Sequence, residues 1–303
     1  MKLNQNTIEG KRDGPHVLIT AGVHGDEFEP MVAVERLSHS LRADELSGRV
    51  TLVPVVNETA FQLGRRTGKD DLDLARVCPG KTDGSATEQA ANALSMLIQQ
   101  ADYFVDLHTG GVCMSVWPMT GYMLHSDPDV LSMQRRMAVA FNLPTVWGTY
   151  AGMDGRSLSV ARDAKVPAIY TEYLGSVPFH EEGAEALVEG CLNVMGLLEL
   201  IDRPPPEQAV RWICEDGQPG AGYMQVCHPS PHAGVFQPEL QLGDQVNAGE
   251  PLGTVTDLVT HERSIIPAEL SGKVLTLRSV ARVEQGTGLG VIVDFEPFSG
   301  LPS

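Results

Sequence analysis

Apolar residues follow two rhythms along the first two thirds of the chain. Short unbroken runs at 16–21, 50–56, 103–107 and 168–171 have the length and β-branched content of buried strands. Between them, residues 30–41 place Met31, Val34, Leu37 and Leu41 at helical spacing. Ser85-Ala86-Thr87-Glu88 has the form of a capping box and opens a predicted helix reaching about Gln100. Further helices are predicted over 130–141, 157–164 and 181–201. Strands separated by helices imply a parallel or mixed sheet covered on both faces, an α/β fold.

The rhythm changes at Arg203-Pro204-Pro205-Pro206, which cannot continue a helix and reads as a linker. Beyond it, short β-like runs separated by Gly and Pro take over, at 212–214, 222–226, 234–236, 251–255, 272–277 and 290–295. The expected organisation is an α/β domain over 1–203 and a small all-β domain over 207–303.

Composition narrows the classes of function. Hydrophobic residues make up 42% of the 303, enough for a sizeable core. No apolar run approaches the roughly 18–20 residues that span a bilayer, and the N-terminus is polar, so neither a membrane span nor a secretory signal is expected. The net charge of −17 argues against nucleic acid and anionic membranes as partners. Five cysteines without a C-x-x-C pair predict reduced, buried thiols in a cytoplasmic protein rather than a disulfide framework.

The candidate chemistry sits at strand ends. Gly22-Val23-His24-Gly25-Asp26-Glu27 follows the first predicted strand, Asp106-Leu107-His108 closes the third, and Glu172 lies just past the strand ending at Thr171. His24 and Glu27 at H-x-x-E spacing, His108 from another strand and a separate carboxylate, Glu172, make up a catalytic zinc site: three ligands, one open position, one general base. Gly25 would let the backbone bend closely around the ion. Open α/β sheets place sites beyond the carboxyl ends of their strands, where all four residues fall. Asp106 suits support of His108 better than direct ligation, and Asp26 suits a local turn. The other seven of the nine histidines have no partner at ligand spacing and are expected to be structural or exposed. The segment 57–80 carries Arg65, Arg66, Lys69 and Arg76 in a chain that is strongly negative overall. Arginine suits bidentate capture of a carboxylate and stabilisation of an oxyanion.

These three motifs, with Thr109-Gly110-Gly111 after His108, resemble the succinylglutamate desuccinylase/aspartoacylase family, a branch of the zinc carboxypeptidase superfamily. The resemblance covers roughly 1–200. It implies one zinc ion held by His24, Glu27 and His108, with Glu172 as base. It also implies that Arg66 polarises the scissile carbonyl and that Arg76 grips a substrate carboxylate, with Asn57 and Arg65 nearby in the substrate-binding set. The family's Asp-Leu-Asn-Arg motif reads Asp73-Leu74-Ala75-Arg76, so Ala75 replaces an asparagine that normally shares the carboxylate. The all-β part resembles barrel-sandwich domains similar to biotinyl and lipoyl carriers. The stretch 256–263 has no lysine to carry a group, which leaves shaping the pocket mouth or a homo-oligomer contact.

The expected activity is zinc-dependent removal of the acyl group from a small N-acylated amino acid or related amine. The alternatives are a zinc carboxypeptidase acting on short peptides and, from another class, a non-catalytic metal-binding module. An assisting tyrosine is left open among Tyr150, Tyr173 and Tyr223.

Overall fold

A computed structural model describes residues 2–301. Along the chain run β1 (Asn6–Glu9), β2 (Arg12–Thr20), α1 (Phe28–Ser40), β3 (Ser47–Val53), α2 (Glu58–Leu63), α3 (Ala86–Ile98), β4 (Tyr103–Leu107) and β5 (Met114–Met123). They are followed by α4 (Pro128–Phe141), β6 (Thr145–Thr149), α5 (Ser157–Asp163), β7 (Ala168–Leu174), α6 (Glu181–Leu197) and β8 (Trp212–Glu215). The C-terminal part adds β9 (Gly234–Pro238), β10 (Gln245–Val246), β11 (Pro251–Thr256), β12 (Arg263–Pro267), β13 (Gly272–Arg278), β14 (Arg282–Val283), β15 (Gly290–Val293) and β16 (Glu296–Pro297).

The main sheet is mixed, in the order β1-β3-β2-β4-β7-β5-β6-β8-β16. Strands β3, β2, β4 and β7 run parallel, and β5 turns the direction by pairing antiparallel with β7. Alternation along β2 sends Val17 and Ile19 to a core shared with α1, α4 and α6. Leu18 faces the opposite core, with Phe104, α3 and α5. Helices thus cover both faces, as the pattern of apolar runs predicts. The expected capping box at Ser85 and Glu88 is present and opens α3.

A second, antiparallel sheet, β12-β11-β9-β14, packs around its own core of Phe236, Leu252, Val255 and Val274. This is the expected C-terminal all-β architecture. It is joined to the α/β sheet by β13, which pairs with β5 at Thr276↔Val116. Two segments expected among the C-terminal β runs lie elsewhere. Trp212–Glu215 extends the main sheet parallel to β6, and residues 222–226 form a loop rather than a strand. No helix among the described residues is long and apolar enough to cross a membrane.

Strand β8 re-enters the sheet after the proline linker and is fastened there by one carboxylate. Glu215 accepts two hydrogen bonds from Arg135, at 2.8 Å each, and one from the Tyr122 hydroxyl at 2.6 Å. Burial opposes ionisation of Glu215, but Arg135 and Tyr122 prevail and hold its pKa below the usual carboxylate value of 4.5. The network therefore contributes stability above pH 4.5 and loses it as pH falls through the lowered folded value. Glu215→Ala, which strands Arg135, is expected to cost about 2–4 kcal/mol in urea unfolding at pH 7. The deficit should shrink in acid.

Candidate active site

Three adjacent strands aim their carboxyl ends at one place. Gly22 makes the exit from β2; it has φ +68°, and a Cβ there would meet the Val55 backbone at 2.8 Å. His24 follows two residues later, buried. Gly25 serves a different purpose from the one expected. A Cβ on it would lie 2.0 Å from the Ala60 carbonyl carbon, so glycine is required by the close approach of α2 rather than by an ion. Glu27 immediately precedes α1 and its side chain makes no cap hydrogen bond. Its carboxylate instead points at both histidines: Oε1 lies 2.6 Å from His24 Nδ1, and Oε2 lies 2.9 Å from His108 Nδ1.

The other nitrogen of each ring meets an aspartate. His24 Nε2 is 3.1 Å from Asp73 Oδ1, and His108 Nε2 is 3.2 Å from Asp106 Oδ2. Asp106 is fully buried and also accepts from Thr20, at 2.7 Å, and from Ser157. If each Nε2–H is donated to its aspartate, both Nδ1 lone pairs face the Glu27 carboxylate. Two imidazole nitrogens aimed at one carboxylate need a proton or a metal cation between them. The donor atoms of His24, Glu27 and His108 lie within 4.8 Å of one another, a group that could hold a metal ion. Burial lowers the His108 pKa, but Asp106 and Glu27 outweigh it and raise the value well above 6.5.

Glu172 differs from its expected position by lying inside a strand. Strand β7 continues past Thr171 because it keeps pairing with β5, where Met119 faces Glu172. Glu172 is buried, and its Oε2 has no hydrogen-bond partner. Burial and the neighbouring Glu27 charge raise its pKa well above 4.5, the direction suited to a base or acid working near neutrality.

A cleft of about 620 Å³ opens over these groups, lined by both histidines, Glu172, Arg66, Ala75 and Arg76. Arg66 is held by Asp73 at 2.9 Å, so that one aspartate positions both Arg66 and His24. Arg76 donates to Gln225 Oε1 at 2.9 Å. Burial, together with the nearby Arg156 and Arg66 cations and against Asp73, presses the Arg76 pKa below its ordinary value. Arg156 also lines the cleft, with its guanidinium 5.1 Å above the Tyr223 ring. Two other expected substrate-binding residues do not line it. Asn57 is buried and caps α2, accepting from Ala60 N at 3.2 Å. Arg65 is committed to Asp71 at 2.6 Å and to the Gly68 carbonyl at 2.8 Å.

Sequence reasoning named Asp73 in its motif without a role for it, and missed Arg156, Tyr170 and Gln225. Tyr170 lines the cleft where none of the three tyrosines singled out does, and two-residue alternation from Glu172 along one strand would have found it. Asp26 does more than make a turn, accepting from Val112 N at 3.1 Å and so holding the loop after His108. The five cysteines are free, but Cys113 is exposed, and only Cys78 and Cys191 are fully buried as expected.

A mixed sheet flanked by helices, with a His–Glu–His donor set and a separate buried glutamate at its strand ends, defines a zinc-carboxypeptidase-like fold. The chain belongs to the succinylglutamate desuccinylase/aspartoacylase family, whose catalytic-domain model matches residues 13–198. It is similar to the N-alpha-acetyl-L-2,4-diaminobutyric acid deacetylase of Halomonas elongata, with 30% identity over 298 residues, 95% of this chain and 84% of that protein. It is also similar to a Pseudomonas fluorescens succinylglutamate desuccinylase, with 27% identity over 111 residues, 33% of this chain and 32% of that one. Among solved structures, the succinylglutamate desuccinylase/aspartoacylase from Rhodobacter sphaeroides matches with a TM-score of 0.86 and 26% identity, covering 97% of this chain and 89% of that one.

The raised pKa of Glu172 has a consequence for metal-stripped protein. The folded state holds this proton more tightly than the unfolded chain, so the contribution is full below pH 4.5 and is lost as pH rises through the folded pKa. Stripped of metal, Glu172→Gln is expected to melt a few degrees above wild type at pH 8. The gap should close toward pH 4.5, measured by scanning calorimetry.

Proposed function

We propose that this chain is a zinc-dependent deacylase that hydrolyses small N-acylated amino acids. The observation that supports this most strongly is the meeting, in one cleft, of the His24–Glu27–His108 donor set, the unpartnered Glu172 and the arginines Arg66, Arg76 and Arg156. The donor chemistry fits zinc. Two imidazoles and a carboxylate are the three-ligand set of a catalytic site, and the two aspartates behind the rings would fix their tautomers.

Zinc bound there would supply a Lewis acid for the carbonyl and a water of lowered pKa. Glu172 takes the proton of the attacking water and returns it to the leaving nitrogen. Its partner-free oxygen and its burial beside the Glu27 charge suit it to hold a proton between the two steps. Arg66, fixed by Asp73, donates to the oxyanion that develops on the carbonyl, a contribution of about 3–4 kcal/mol. Arg76 and Arg156 receive the substrate carboxylate. With Ala75 in place of the family asparagine, Gln225 and Arg156 supply the polar contacts that asparagine would give. Tyr170, on the same strand face as Glu172, is the assisting tyrosine.

The two parts of the chain divide the work. Residues 1–203 carry the donor set and the base, while 207–303 bring Met224 and Gln225 over the cleft mouth. The converging arginines of the cleft suit a small anionic molecule. The near full-length relative named as a deacetylase makes N-alpha-acetyl-L-2,4-diaminobutyrate the first substrate to assay. Its carboxylate would meet Arg76 and Arg156. Free cysteines and the absence of a disulfide framework fit a cytoplasmic setting.

A panel of N-acetyl and N-succinyl amino acids set against short peptides tests the reading, with turnover of the acyl amino acids expected. Preference for peptides, or no hydrolysis at all in zinc-loaded protein, would overturn it. Glu172→Gln is expected to retain metal by elemental analysis and lose about 10²–10⁴-fold in kcat. His108→Ala should lose bound metal, and full occupancy in that variant would remove His108 from the ligand set.

A further inference from the structure

A second cavity, of about 690 Å³, shares Glu172 and Arg66 with the cleft but is lined by neither histidine. One wall comes from the loops beside the donor set, with Asp26 and Thr109, and another from the end of β13, with Thr276 and Arg278. Seven buried side-chain polar atoms among the described residues lack a hydrogen-bond partner. Four of them belong to residues that line this one cavity: Asp26 Oδ1, Glu172 Oε2, Thr276 Oγ1 and Arg278 Nε. Asp26 Oδ2 is already engaged by Val112 N, which leaves Oδ1 as the free oxygen. Folded proteins keep few such orphans, because each forfeits its hydration without replacement. Four of them on the residues around one space mark the seat of a polar ligand.

The orphans define its chemistry. Two carboxyl oxygens ask for a hydrogen-bond donor, while a guanidinium N–H and a hydroxyl ask for an acceptor, all within one small space. An ammonium beside a carboxylate meets both demands, and the α-nitrogen of an N-acylated amino acid, a neutral amide, cannot supply that ammonium. Hydrolysis creates the missing charge. The water's hydroxyl goes to the acyl carbon and its proton to the nitrogen, and the released amine takes a second proton from solvent near neutral pH.

We infer that this cavity holds the free α-amino acid product, its ammonium toward Asp26 and Glu172 and its carboxylate toward Arg278 and Thr276. The inference rests on the deacylase reading for the identity of the ligand. It gives the C-terminal part a role beyond covering the cleft, because two of the four recognising groups come from β13. It also makes the free amino acid an inhibitor of the enzyme that releases it.

Calorimetric titration of the zinc-loaded protein with L-2,4-diaminobutyrate tests this. Two analogues serve as comparisons: its α-carboxamide, which lacks the anion, and 4-aminobutyrate, which lacks the α-ammonium. The complete amino acid should bind, and each analogue should bind about tenfold or more weakly. Arg278→Gln should weaken the amino acid by about ten- to a hundredfold and raise its inhibition constant equally. Thr276→Val, which keeps the side-chain shape, should weaken it by a smaller factor, with melting temperatures confirming that both variants fold. Analogues binding as well as the amino acid, or affinity unchanged in both variants, would overturn the inference. Turnover of acyl amino acids with no Arg278-dependent binding defeats the inference alone. Arg278-dependent binding without turnover of any acyl substrate defeats the deacylase reading and leaves an amino-acid site.

Discussion

The carboxylate of Glu27 lies buried between two imidazoles, 2.6 Å from His24 Nδ1 and 2.9 Å from His108 Nδ1. Everything around it follows from the cost of keeping that charge out of water. A buried carboxylate persists only with compensating cations or donors. Here the compensation is shared by two rings, each backed by its own aspartate. The same arrangement keeps Glu172 protonated more readily, since the Glu27 charge adds to burial in disfavouring a second anion. A single interaction thus fixes the donor geometry and separates two glutamates into different chemical states.

The sheet explains how residues so far apart in sequence reach this point. Strands β2, β4 and β7 are neighbours in register, with Thr20↔Asp106 and Leu107↔Thr171. Side chains at the ends of these strands therefore converge without further adjustment. Asp106, one step inside the sheet, stands behind His108 because residues two apart on a strand share a face. The loops need no more than a glycine at the β2 exit and another where α2 crosses. Each of these would otherwise place a Cβ within 3 Å of backbone atoms.

What could be read from the sequence was whatever depends on short-range pattern. The strand before His24, the capping box at Ser85 and the H-x-x-E spacing that brings His24 and Glu27 together are local, and each has its counterpart in the fold; beyond the proline linker, β8 rejoins the main sheet. Strand β5 was hidden because Pro118 and Gly121 interrupt its pattern. In the fold, Pro118 sits within a register irregularity between Val116 and Met119, and Gly121 makes room for the Tyr170 ring. Arg156 and Gln225 were invisible for a different reason. Nothing near them in sequence bears on a site, and they reach the cleft only through the placement of α5 and of the loop after β8. Arg65 shows the converse, a residue next to Arg66 in sequence whose side chain is spent on its own loop.

Charge ties the cleft to the rest of the molecule. A chain with a net charge of −17 repels anions at long range, so recognition of a carboxylate has to be local. Arg66, Arg76 and Arg156, all lining the cleft, supply that inversion. Burial is the main cause of the lowered Arg76 pKa, and the neighbouring Arg156 and Arg66 charges add to it. Their mutual repulsion is relieved when an anion enters. In the deacylase reading, the carboxylate of a substrate would complete the electrostatics of the cleft as well as occupy it.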